Sequence, residues 1–213
     1  MAIRVVFIGP PGSGKGTQAV RLVQHGFVHI STGDLLRAEI ARGTPQGQKL
    51  LATVRAGGLV DDEILFRLIH DVMLAQADSS IVFDGYPRTL AQAHHLDRIG
   101  IDAAFFFLIA DAVLLRRLRS RVIGNDGVIY DLEQHPPPAG VTYYRRVDDT
   151  EAVHLQRLRE YRCHENWLRD FYRERGLFYP LAAEAPVDSV ASRIADRIRA
   201  LRLPALRPET APP

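Results

Sequence analysis

The chain has 213 residues, 46% hydrophobic and 24% charged, with a formal net charge of +2. That is the composition of one soluble globular domain, and the charge surplus is too small to argue for a nucleic-acid partner. Cys163 is the only cysteine, which excludes a disulfide scaffold and a four-cysteine zinc site. Only Lys15 and Lys49 are lysine, so the other 25 basic residues are Arg. Met1–Ile8 lacks the charged and apolar regions of a signal peptide. The most apolar run, Ala103–Ala110, is far short of the ~20 residues that span a bilayer. The expectation is a cytoplasmic protein with no membrane contact.

Three short runs, Ile3–Ile8, Ile81–Phe83 and Ala104–Ile109, are almost continuously apolar, the pattern of strands buried on both faces of a parallel sheet. Helical patterns alternate with them at Thr17–His25, Ile64–Ala77, Leu90–Ile99 and Ala112–Arg121. The alternation predicts an α/β fold. Two stretches interrupt it. Residues 31–60 hold helical pieces between glycines, with no convincing strand, and residues 122–146 hold glycines and Pro136–Pro138 with little helical pattern. Both read as insertions on the core. A long helix over about Asp149–Arg175, a strand at Phe178–Leu181 and a helix at Val187–Leu201 follow. The Pro-rich segment after Leu203 reads as a frayed tail.

The first strand runs into Gly9-Pro10-Pro11-Gly12-Ser13-Gly14-Lys15-Gly16-Thr17. This spacing is that of a phosphate-binding loop, in which backbone N–H groups and a helix N-terminus surround an anion and Lys15 reaches the β- and γ-phosphates. Gly16 follows the lysine where many such loops carry a Mg2+-ligating hydroxyl, and Thr17 comes one place later. The strand Ile81–Phe83 ends in Asp84, which reads either as a solvent-facing turn carboxylate or as a water-mediated Mg2+ ligand. The following Gly85-Tyr86-Pro87-Arg88-Thr89 supports the second reading, with Arg88 as a phosphate clamp. At Ser31-Thr32-Gly33-Asp34-Leu35-Leu36-Arg37, Thr32 reads either as a helix cap or, with Arg37, as a contact to a second nucleotide. Arg117 and Arg121 share one helix face, and Arg145, Arg146 and Arg157 flank the second insertion. Such a set suits a closing electrostatic clamp for phosphoryl transfer, with Asp148 and Asp149 orienting the guanidiniums. The eight histidines show no metal-ligand spacing.

Jointly these motifs, with Gln92 and Arg146-Val147-Asp148-Asp149, resemble the adenylate kinase family of nucleoside monophosphate kinases, over roughly residues 3–201. The resemblance implies a P-loop parallel sheet flanked by helices, with a core at 1–30, 61–121 and 147–203. It implies an AMP-binding helical insertion at 31–60, a short lid at 122–146 and a tail at 204–213. It implies reversible transfer from ATP to AMP giving two ADP, with Mg2+ held by phosphates and waters, and no zinc. Carried over by position, Gly12, Ser13, Gly14, Lys15, Gly16 and Thr17 would hold ATP phosphates, and Arg117 and Arg121 would also face ATP. Thr32, Arg37, Gly58, Val60, Gly85, Arg88 and Gln92 would hold AMP, with Gln92 on the adenine edge. Lys15, Arg88, Arg121, Arg146 and Arg157 would stabilise the transferring phosphoryl, and the carbonyl near Ala185–Pro186 would meet adenine. The family implies a monomer acting on ATP, AMP and ADP alone. The lid is shorter than in long-lid relatives, many of which have a second consecutive Arg where Val122 stands, and it lacks the four cysteines of zinc-bearing members. A UMP or CMP kinase, a nucleotide-binding regulator and a P-loop switch are the rival readings.

Overall fold

Alternation along β1 (Arg4–Ile8) divides the core into two layers. The structure is a computed structural model and describes residues 2–146 and 149–202; Asp148 and the proposed tail lie outside the described residues. In β1, Val5 and Phe7 face one layer and Val6 and Ile8 the other. Its neighbours are β3 (Ser80–Asp84) and β4 (Ala103–Leu108), both parallel, with Val5 opposite Val82 and Ala103. Beyond them lie β2 (Phe27–Ser31) and β8 (Phe178–Ala182), giving the order β2-β3-β1-β4-β8. Chain order reverses about β1, so the loop that follows it opens into the crevice where open α/β sheets bind ligands.

Helices cover both faces, as parallel strands require. On one side α1 (Lys15–Val23) and α8 (Val187–Arg202) bury Ala19, Leu22, Val190, Ile194 and Ile198 against Phe7, Phe105 and Phe107. On the other, α4 (Asp62–Ala75), α5 (Leu90–Asp97) and α7 (Glu151–Glu174) bury Ile69, Ala93, Leu96, Leu168, Phe171 and Tyr172 against Phe83 and Phe106. Each such large apolar side chain contributes on the order of 1.5–3 kcal/mol. The strands and helices anticipated from the sequence are present within two residues of their predicted bounds.

The insertion after β2 is two helices, α2 (Thr32–Ala41) and α3 (Pro45–Arg55), with Pro45 in the first turn of α3 behind the Thr44 cap. They pack closely at Gly47, where a Cβ would lie 2.7 Å from the Glu39 carbonyl oxygen. A small core of Leu36, Leu50, Val60 and Leu65 holds the insertion to α4. After α6 (Asp111–Ser120) the second insertion forms an antiparallel sheet of β5 (Arg121–Gly124), β6 (Ile129–Asp131) and β7 (Tyr143–Tyr144).

Two features depart from the sequence expectation. β2 is a strand that the apolar pattern does not announce, because at the sheet edge only Phe27 and Ile30 are buried. The second insertion contains strands, which two- to four-residue segments with exposed Ile129, Tyr143 and Tyr144 do not signal. No described helix is long and apolar enough to cross a membrane.

Candidate active site

The loop after β1 is shaped by glycines for two reasons. Gly12 and Gly14 adopt positive φ values of 81° and 93°, which other residues enter only at a cost. Gly9 and Gly12 also lie against neighbours: a Cβ at Gly9 would be 2.8 Å from the Phe107 Cβ, and one at Gly12 2.8 Å from the Leu118 Cγ. α1 starts at Lys15 behind Gly14 with no side-chain cap hydrogen bond, so its leading N–H groups face the loop interior. The Lys15 ammonium fills that interior, donating to the carbonyl oxygens of Gly9 at 2.7 Å and Pro10 at 2.8 Å. Desolvation pushes its pKa down to about 8; Asp84 opposes the shift, and Arg88 and Arg121 add to it.

Across the crevice, the end of β3 meets the end of β2, with Asp84 in register with Ser31. The Asp84 carboxylate lies 3.4 Å from His29 Nε2 and near Gly16, where a Cβ would stand 3.5 Å from its Oδ2. The residue at position 16 supplies no hydroxyl here. Among the described residues no group of three or more His, Cys, Asp or Glu could by itself hold a metal. A single carboxylate beside a phosphate loop fits Mg2+, which keeps waters and takes phosphate oxygens, rather than an all-protein cage.

Thr32 is not the cap of α2. Ser31 fills that role, accepting from the Asp34 N–H at 3.2 Å. Thr32 is 1% exposed and donates from Oγ1 to the Gly85 carbonyl at 3.0 Å, tying α2 to the loop after β3. That same carbonyl accepts from Arg88 Nε at 2.8 Å. Arg37 folds over Gly33 and pairs with Asp34, three residues before it on α2.

The cations of the crevice act on one another. Desolvation lowers the Arg88 pKa, and Arg157 and Arg37 lower it further against Asp84. Desolvation also lowers that of Arg146, with Arg37 and Arg121 adding to it against Asp34 and Asp149. Arg121 is ion-paired to Asp149, as the sequence suggested, and Arg157 donates to the Val54 carbonyl of the insertion at 3.4 Å. Six cations, Lys15, Arg37, Arg88, Arg121, Arg146 and Arg157, are thus linked electrostatically around one opening. Desolvation and the neighbouring cations both disfavour the charged forms, so an anion placed among them would relieve that cost.

The remaining predicted residues each have partners in the surrounding structure. Arg117 donates to the Ala183 carbonyl at 3.0 Å, at the turn that leads to Ala185 and Pro186. Val60 is buried with Leu36 and Leu50, and Gly58 lies beside Thr53. Gln92 is buried; its amide accepts from the Arg88 N–H and donates to Asp62, a partner 30 residues away that no short motif could reveal.

Gly85 lies against both Thr32 and Arg88. Its φ is +78°, and a Cβ would lie 2.6 Å from Thr32 Oγ1 and 3.2 Å from Arg88 Nη2. Gly85→Ala is expected to lose about 1–2 kcal/mol from the backbone alone, and more through the displaced Thr32. A urea midpoint equal to that of the parent protein would contradict this.

Comparison with known proteins identifies the family. The family model described as adenylate kinase matches residues 7–177. An adenylate kinase of Symbiobacterium thermophilum is 37% identical, covering 94% of this chain and 100% of its own length. One from Deinococcus radiodurans is 39% identical over 89% of this chain and 93% of its own. One from the archaeon Archaeoglobus fulgidus is 33% identical over 90% and 96%. A phosphate loop facing a ring of arginines, in a chain this similar to those enzymes along nearly its whole length, makes this protein a member of the adenylate kinase family, nucleoside monophosphate kinases that transfer phosphoryl groups between adenine nucleotides.

Proposed function

We propose that the protein transfers the terminal phosphoryl group of ATP to AMP, reversibly and with Mg2+, giving two ADP. The observation that carries this reading is the linked ring of six cations, with the glycine loop and Lys15 at one end and Arg37 and Arg88 at the other. Two phosphate-binding ends of different construction suit a donor and an acceptor rather than one ligand.

In this reading the loop N–H groups of Gly12–Thr17 and the Lys15 ammonium hold the β- and γ-phosphates of ATP. Lys15 then exchanges the Gly9 and Pro10 carbonyls for phosphate oxygens. Arg37 and Arg88 hold the AMP phosphate, Thr32 and Gly85 fix the loop that carries Arg88, and Gly58 and Val60 flank the adenine read by Gln92. Arg117 and Arg121 lie toward the donor nucleotide. An oxygen of the AMP phosphate attacks the γ-phosphorus in line. The new P–O bond forms as the bond to the β,γ-bridging oxygen breaks, and ADP departs from the donor site. Charge on the migrating group is met by Arg88, Arg121, Arg146 and Arg157, positioned in part by Asp149. Mg2+, held by the phosphates and through water by Asp84, would supply further neutralisation of that charge. The antiparallel sheet of the second insertion closes as a lid and brings Arg146 inward, excluding the water that would otherwise accept the phosphoryl. The protein works as a cytoplasmic monomer on nucleotides alone.

A coupled assay for ADP with ATP, Mg2+ and a panel of AMP, CMP, UMP and GMP tests the assignment. AMP is expected to be the best acceptor by a wide margin, and Arg88→Ala to lower turnover by at least ~10²-fold, or about 3 kcal/mol of barrier. Preference for a pyrimidine acceptor, or near-normal turnover in a folded Arg88→Ala variant, would overturn it.

The depressed Lys15 pKa sets a pH dependence. Its folded value lies below its unfolded one, so the cost of charging it in the fold is present below about pH 8 and relieved above. ATP affinity of the free enzyme is therefore expected to fall as pH rises through about 8, where an ordinary lysine would stay charged to about pH 10. Calorimetric dissociation constants from about pH 7 to about 9.5 would show it, and a flat profile would contradict it.

A further inference from the structure

The side-chain amide of Gln92 has two chemically different ends, and the fold engages one atom of each. Oε1 accepts from the Arg88 backbone N–H at 2.7 Å, and Nε2 donates to Asp62 Oδ1 at 2.5 Å. A backbone N–H cannot accept and an ionised carboxylate cannot donate, so only one of the two flipped orientations of the amide satisfies both partners. Gln92 is 1% exposed, so a flipped amide would leave buried groups opposed and unsatisfied.

Asp62 is not needed as a helix cap. Asp61 caps α4, accepting from the N–H groups of Glu63 and Ile64. Asp62 instead reaches across to α5, and it is itself exposed. After these two bonds the amide retains one N–H and one oxygen lone pair, side by side in a fixed order. Adenine presents a donor at N6 and an acceptor at N1 on its pairing edge. Guanine presents an acceptor at O6 and a donor at N1, the reverse order. The two bases are of one size, so shape separates them poorly and the order of donor and acceptor separates them well.

We propose that Asp62 is a specificity-positioning residue: by locking the Gln92 amide in one orientation, it makes the acceptor site read adenine rather than guanine. This rests on the reading of Gln92 as the residue that contacts the acceptor base.

The test measures kcat/KM for AMP and for GMP, with ATP as donor, in the parent protein, Asp62→Ala, Asp62→Lys and Gln92→Ala. Asp62→Ala removes the lock. Because the Arg88 N–H still favours the native orientation, the AMP-over-GMP ratio is expected to fall only in part, about tenfold, chiefly through KM for AMP. Asp62→Lys, which can only donate, favours the flipped amide and is expected to lower the ratio further. A merely structural role for Asp62 would slow both acceptors alike and leave the ratio unchanged. If Gln92→Ala collapses the ratio while both Asp62 variants keep the parent value, the role of Asp62 is overturned and that of Gln92 stands. A parental ratio in Gln92→Ala would overturn both.

Discussion

Repulsion among like charges is the constraint around which this molecule is organised. An ammonium and five guanidiniums act on one another across a single crevice, and among the described residues Asp34, Asp84 and Asp149 offset them. Left to itself such a set would disperse into water. It persists because the groups are carried by elements anchored in a core that does not depend on them. Lys15 begins the helix after the central strand, Arg88 follows a strand beside it, and Arg157 rides a 24-residue helix whose far end buries Phe171 and Tyr172. In the proposed function, bound phosphate relieves that repulsion, which fits the general trade of stability for function at active sites.

In the proposed function the two ends of the crevice bind anions differently. The glycine loop uses backbone N–H groups and a helix terminus, which cannot move away from the site and need no side-chain ordering. Its tight packing against Phe107 and Leu118 gives that loop a fixed shape. The other end uses Arg37 and Arg88, and Arg37 pairs with Asp34 as the structure stands. Bidentate, planar groups suit a phosphate that must be taken up and released at each turnover. The insertion that carries Arg37 packs through Leu36 and Leu50 on Val60 and Leu65, so Arg37 stands on a small core of its own beside the main sheet.

Much of this was legible in the amino-acid order because the features are local. Gly9–Thr17 is contiguous, the buried strands are continuous apolar runs, and Asp84 to Arg88 is one segment. What was not legible is long-range or lacks an apolar signature. β2 escaped notice because an edge strand buries only Phe27 and Ile30. The strands of the second insertion are too short, and too exposed at Tyr143 and Tyr144, to produce a period. Thr32 looked like a cap from its neighbours, whereas its bond to the Gly85 carbonyl, 53 positions on, is a tertiary fact. The pairing of Gln92 with Asp62 is of the same kind.

The central claim is that two nucleotides sit end to end in one crevice, their phosphates sharing one set of cations. Titration with a single molecule carrying two adenosines joined through a polyphosphate tests it most directly. One molecule should bind per chain, displace both ATP and AMP, and stabilise the fold by about 2.7 kcal/mol at a hundredfold excess over its dissociation constant. Binding of two such molecules per chain, or displacement of only one of the two nucleotides, would contradict the account.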